Sequence, residues 1–65
     1  MRLHVDNMSC QHCVRSITKA LQQLDPAAEV SVDLAQHQIE LHGQILAEAA
    51  IAALVEEGYP ARLLP

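Results

Sequence analysis

The period of the hydrophobic positions changes repeatedly along this chain, and each change marks an element. From Arg2 to Asn7 polar and apolar residues alternate, with Leu3 and Val5 on one side and Arg2, His4 and Asp6 on the other. A period of two is that of a half-buried strand. Past Cys10 and Cys13, Val14, Ile17, Ala20, Leu21 and Leu24 recur at helical spacing, while Arg15, Ser16, Lys19, Gln22 and Gln23 share the opposite side. That is an amphipathic helix, and it must stop before Asp25-Pro26 because proline cannot continue it.

Alternation then returns. Ala28, Val30, Val32 and Leu34 interleave with Glu29, Ser31 and Asp33, and after a short turn at Ala35-Gln36, Ile39 and Leu41 interleave with Gln38, Glu40 and His42. Two strands joined so tightly form a hairpin. Gly43 breaks the pattern. Ile45, Leu46, Ala49, Ala50, Ala53 and Leu54, with Ile51, outline a second, alanine-rich helix that closes at Glu56-Glu57-Gly58, where Gly58 fits a C-terminal cap. Ala61 to Leu64, after Tyr59-Pro60, is short enough to be an edge strand. The order strand, helix, strand, strand, helix, strand predicts an α+β fold of the ferredoxin-like βαββαβ kind, a four-stranded antiparallel sheet with two helices on one face. No linker or low-complexity tract divides residues 1–65, so one domain is expected.

Composition narrows the partners. Four basic residues against eight acidic ones give a formal charge of −4, the wrong sign for a protein held to phosphate backbones, and Tyr59 is the only aromatic residue, so no stacking platform for bases exists. Nucleic acid is not an expected partner. The longest apolar-rich run, Ile45 to Val55, contains Glu48 and is too short to span a bilayer, so membrane insertion is not expected. The polar residues alternating through Arg2, His4 and Asp6 leave no room for the apolar core of a signal peptide. The expectation is a cytoplasmic protein whose thiols stay reduced.

All the soft-ligand chemistry is in one stretch, Met8-Ser9-Cys10-Gln11-His12-Cys13, which holds both cysteines of the chain. A bare C-x-x-C admits a redox dithiol, half of a zinc site, or a site for a soft monovalent metal. Tracing the elements places it at the end of the sheet near Tyr59 and, farther off, His37, with His42 at the opposite end. A zinc set of Cys10, Cys13, His37 and His42 is disfavoured, because residues 37 and 42 of a strand face opposite ways. A thiol oxidoreductase is disfavoured by the short chain and by a second helix without acid-base residues. Cys13 opens a helix, where unpaired N–H groups and the helix dipole stabilise a thiolate.

The neighbours of the thiols carry alternatives. Met8 reads as a core residue propping the loop, with ligation as the other reading. His12 reads as solvated, or as tuning thiolate protonation. Tyr59 is a lid or a hydrogen-bond donor to the site. Arg15 and Lys19, four apart on one helix, are a solvated face or a docking patch for a partner.

Asn-Met-Ser-Cys-Gln-His-Cys-Val after a strand and before an amphipathic helix resembles the M-x-C-x-x-C motif of heavy-metal-associated domains, and most resembles bacterial copper chaperones of the CopZ type. The Glu-Glu-Gly-Tyr-Pro stretch resembles the family's Gly-Tyr before the last strand, and the resemblance spans essentially the whole chain. It implies a copper chaperone or buffer, not an enzyme, that binds Cu(I) through Cys10 and Cys13. It also implies transfer by ligand exchange to the metal-binding domain of a copper-transporting P-type ATPase or another copper protein. Two such sites facing one another could share copper in a metal-bridged homodimer. A regulatory module of a transporter and a carrier of zinc or another soft metal are the alternatives. Asn7, where the family commonly has glycine, and the short connection before the second helix depart from the pattern.

Overall fold

A computed structural model describes all 65 residues. The elements are β1 (Arg2–Val5), α1 (Gln11–Leu24), β2 (Glu29–Asp33), β3 (Gln38–His42), α2 (Ala47–Glu56) and β4 (Ala61–Leu64). The strands form one sheet in the order β2-β3-β1-β4 with every neighbouring pair antiparallel. Both helices pack against each other and against the sheet. This is the ferredoxin-like arrangement that the periodicity predicts.

Register and burial together define the two faces of the sheet. Leu3 pairs with Ile39 and Leu63, and Val5 with Ala61, so these residues project to one side. Leu3, Val5, Ile39 and Leu41 are buried on that side against Cys13, Ile17 and Leu21 of α1 and Ala50 and Leu54 of α2. Met8, Ala28 and Ile45 complete the core, and no polar or charged side chain is buried in it. The core is aliphatic because the sequence offers little else, and it leaves the opposite face of the sheet uncovered.

Local backbone chemistry explains the element boundaries. β1 ends at Val5, earlier than the alternation to Asn7 suggests, because Asp6 and Asn7 form a turn in which Asn7 has φ 65°. The hairpin is looser than a two-residue turn: residues 34–37 form the connection, the Gln36 N–H donates to Asp33 Oδ1 at 3.2 Å, and His37 has φ 56°. α2 begins at Ala47, so Leu46 precedes the helix and escapes its periodicity; Leu46 is 77% exposed while Ile45 is buried. The last position of α1 likewise leaves Leu24 46% exposed.

The short link before α2 is held by Asp25. Its Oδ1 accepts the Ala27 N–H at 3.1 Å and its Oδ2 accepts the Gln44 N–H at 2.9 Å, tying the end of α1 to the link. Gly43 fits beneath this clamp because it has no side chain: a Cβ there would lie 2.9 Å from both Ala28 Cβ and Asp25 Oδ2. Gly43→Ala is therefore expected to cost about 1–3 kcal/mol, the usual range for overpacking. Urea denaturation checks this, and an unchanged midpoint would show that the link yields freely.

Candidate metal centre

Strand β1 delivers the chain to one end of the sheet, and the turn at Asp6-Asn7 reverses it towards α1. Residue 7 is in the left-handed conformation, which asparagine is among the few residues other than glycine to adopt readily. Met8 then plunges into the core with no exposed surface and anchors the loop from below. Cys10 follows as the N-cap of α1, with extended backbone and no side-chain capping hydrogen bond. No acidic residue lies in the first turn of α1. The first-turn N–H groups therefore face the thiols without a competing anion.

The two sulfurs converge. Cys10 Sγ lies 3.2 Å from Cys13 Sγ, and the Asn7 carbonyl oxygen lies 3.9 Å from Cys13 Sγ. Both thiols are free; Cys10 is exposed and Cys13 is buried at 9% exposure. One sulfur is thus presented to solvent while the other is held against the fold. Such a pair can close around one soft ion and still admit an incoming thiolate from outside.

Electrostatics favours the thiolate at Cys13. Its pKa is lowered from 9.0 to about 7, first by the Tyr59 phenol, then by the Ser9 backbone, then by the Cys10 thiol and the Cys10 backbone, with burial opposing. The sulfur's partners within hydrogen-bond distance are Cys10 Sγ and the Asn7 carbonyl, so the phenol stands beside the thiol, not in a closed bond with it. Tyr59 answers in kind: its own pKa is raised, chiefly by Cys13 and then by burial, which keeps the phenol protonated and able to donate.

Tyr59 is placed by the end of α2. The Gly58 N–H donates to the Val55 carbonyl at 3.0 Å and the Tyr59 N–H to the Leu54 carbonyl at 2.8 Å, with Gly58 at φ 88°. These two bonds are a Schellman cap, which needs a residue comfortable at positive φ at Gly58. Tyr59 packs on the core as it leaves the cap, and the Asp6 N–H bonds the Pro60 carbonyl at 2.8 Å, joining this loop to the start of the loop that carries the thiols.

A depressed pKa leaves the Cys13 sulfur available as a thiolate until pH falls through about 7. The sign for the fold is the same: the thiolate's contribution is complete above the ordinary value and is lost as pH falls through the folded one. Tyr59→Phe is expected to move the Cys13 midpoint upward, read from the ultraviolet absorbance of the thiolate. An unmoved midpoint would leave the Ser9 backbone, the Cys10 thiol and the Cys10 backbone as the whole cause.

The remaining sequence candidates are dispersed. His12 is exposed on the first turn of α1. His37 sits at the thiol end of the sheet, where its carbonyl accepts the Val5 N–H at 2.8 Å and its ring lies 6.3 Å from that of His4. His42 is at the other end of β3, with Nε2 3.2 Å from Glu40 Oε1. The C2H2 set is therefore not assembled, and no cluster of three or more His, Cys, Asp or Glu residues stands ready for a metal. Arg15 and Lys19 are exposed along α1 and, with Val14, Thr18, Gln22 and Gln23, line a shallow groove. The part of the site not visible in the motif is the Ser9 backbone; its only sequence signal is its place before Cys10.

The sequence pattern of the heavy-metal-associated domain matches residues 2–60. The chain belongs to the heavy-metal-associated domain family. A COP-associated protein of Helicobacter felis is 37% identical over 57 residues, covering 85% of this chain and 86% of its own length. Among solved structures, a gold binding protein superposes with a TM-score of 0.90 at 34% identity, covering 95% of both chains. The copper chaperone Atx1 of Synechocystis superposes with a TM-score of 0.91 at 29% identity, covering 95% of this chain and 98% of its own. This heavy-metal-associated domain thus has the same fold as a protein named as a copper chaperone and one named for binding gold. No helix in it is long and apolar enough to cross a membrane.

Proposed function

We propose that this domain carries one Cu(I) ion, held between Cys10 and Cys13, within the cytoplasm. We propose further that it passes the ion by thiolate exchange to the C-x-x-C of a copper-transporting P-type ATPase or another copper protein. The observation that carries this reading is the pair of free sulfurs 3.2 Å apart, one exposed and one sheltered, at the start of an uncapped helix. Thiolates select soft ions, and two of them with no third fixed donor suit a monovalent ion of low coordination number. The likeness to a copper chaperone and to a gold binding protein fits, since Cu(I) and gold ions are both soft.

The exchange needs little from the protein beyond geometry. An incoming partner thiolate adds to the metal from the side of exposed Cys10, a three-sulfur intermediate forms, and one domain thiolate leaves. A second exchange completes transfer, with no net redox change. Cys13, with its thiolate favoured near neutral pH, can give up the metal without first waiting for a proton. Tyr59, next to it, stabilises the freed anion.

Arg15 and Lys19, two and six residues beyond Cys13 in α1, offer a positive surface within about two helical turns of it, on a chain whose net charge is acidic. An acidic partner surface would meet it there. Loaded wild-type protein should transfer Cu(I) to an apo partner domain on mixing, and R15E/K19E should slow that transfer about tenfold or more at low salt, an effect that fades as salt rises. Retention of the metal by the wild type against an excess of partner dithiol would sink the carrier reading. Equal rates for the variant at all salt concentrations would remove the patch from it.

A further inference from the structure

The uncovered face of the sheet is not a random mixture of charges. By register it displays Glu29, Ser31 and Asp33 from β2, Gln38, Glu40 and His42 from β3, Arg2 and His4 from β1, and Arg62 and Leu64 from β4. Every carboxylate that the strands themselves display lies in the β2-β3 half; the one other carboxylate on this side, Asp6 in the turn after β1, lies 3.2 Å from His4. Both arginines lie in the β1-β4 half, and these are two of the four basic residues in the chain. The carboxylates in contact with a basic side chain are Asp6, beside His4, and Glu40, beside His42, so neither arginine is satisfied within the domain. Arg2 and Arg62 are exposed, as are Asp33 and Glu40.

We propose that this face is a self-association surface on which a second copy of the chain docks about a two-fold axis running parallel to the strands, between β3 and β1. The rows of the sheet make the geometry specific. One row reads Asp33, Gln38, His4, Arg62 across the four strands, and the next reads Ser31, Glu40, Arg2, Leu64. An axis between the two central strands exchanges the outer positions of each row with one another and the inner positions likewise. Arg62 then stands over the partner's Asp33, and Arg2 over the partner's Glu40, with each pair formed twice. Any closed dimer about that axis sets the basic half on the acidic half, so charge complementarity follows from the register itself.

Edge-to-edge pairing through β4 would give a different dimer, and it is disfavoured because Pro60 and Pro65 bracket that strand. The face-to-face contact is also small. Four strands about 4.8 Å apart and five residues long at about 3.3 Å each present roughly 300 Å² per copy, well under the area of a stable complex. The association is therefore a weak, reversible one, opposed at long range by the charge of −4 on each copy. An axis parallel to the strands leaves both Cys10/Cys13 loops at the same end of the pair and outside the contact. This dimer is distinct from any that shares a metal.

The test uses the full chain in a C10S/C13S background, where neither metal nor disulfide can join two copies. Sedimentation and amide chemical shifts are followed on dilution from about 1 mM, a concentration at which a weak contact is populated. The expected shifts map to β1–β4 residues of the open face. R62E is expected to weaken association at least tenfold, because each exchange is felt twice, while R62K behaves as the parent. D33R, with its fold checked by circular dichroism, should also fail to self-associate. A mixture of R62E and D33R should pair, since both contacts become opposite in charge again. A chain that stays monomeric at this concentration, shifts confined to α1 and α2, or equal behaviour of R62E and R62K would overturn the proposal.

Discussion

Met8→Ala is expected to lower the stability of the domain by about 2–5 kcal/mol, the range for truncating a fully buried methionine. Met8 is entirely enclosed and belongs to the core cluster of 12 residues. In a chain of 65 residues, at about 0.05–0.15 kcal/mol per residue, that loss is a large share of everything holding the fold together. Each kilocalorie should lower the melting temperature by about 4–8 °C at this size. The loss is not confined to packing, because Met8 is what fixes the loop between β1 and Cys10.

Thermal denaturation followed by circular dichroism measures the effect, and Met8→Leu separates its causes. Leucine conserves volume and should recover most of the stability, as such exchanges usually cost less than about 1.5 kcal/mol. If Met8 is support and not a ligand, Met8→Leu also binds Cu(I) as the wild type does. A stable Met8→Leu variant with weakened Cu(I) binding would instead make the thioether a ligand.

Most of the architecture is visible in the period of the apolar residues, because each element buries a single face. Leu3 and Val5, Ile17 and Leu21, Ile39 and Leu41, and Ala50 and Leu54 are all where alternation or helical spacing puts them. Gly58 is legible as a cap because few other residues close a helix that way. Where periodicity fails, local backbone chemistry has taken over. His37 and Asn7 adopt positive φ that no pattern announces, and Leu46 falls just outside α2. Asp25 reaches across 19 residues to Gln44, a contact that exists only once the chain has folded.

The candidate site divides in the same way. The spacing of Cys10 and Cys13 announces a pair of cooperating thiols on its own, and leaves open whether they act as a redox dithiol or as metal ligands. The sulfur separation, the sheltering of Cys13 and the reach of Tyr59 are tertiary, set by a cap at the far end of the chain. The division of charge on the open face is tertiary too. Arg2 and Arg62 are 60 positions apart, and only the pairing of β1 with β4 puts them on one face, diagonal to one another in adjacent rows.

Loss of either sulfur should be far more damaging to metal binding than any change around it. Removing an outer partner of a metal ligand usually costs about 10–100-fold in affinity, and Cys10→Ser or Cys13→Ser removes a ligand outright, so the loss should exceed that range. Serine leaves a hard oxygen where a soft ion needs sulfur. Neither variant should unfold the chain, since Cys10 is exposed and the exchange at Cys13 is nearly isosteric. An anaerobic titration of the wild type and C10S/C13S against a competing Cu(I) chelator is the most direct measurement. The wild type should withdraw one equivalent of Cu(I) per chain from the chelator and the double variant none; comparable affinity in the two proteins would contradict a metal site built on Cys10 and Cys13.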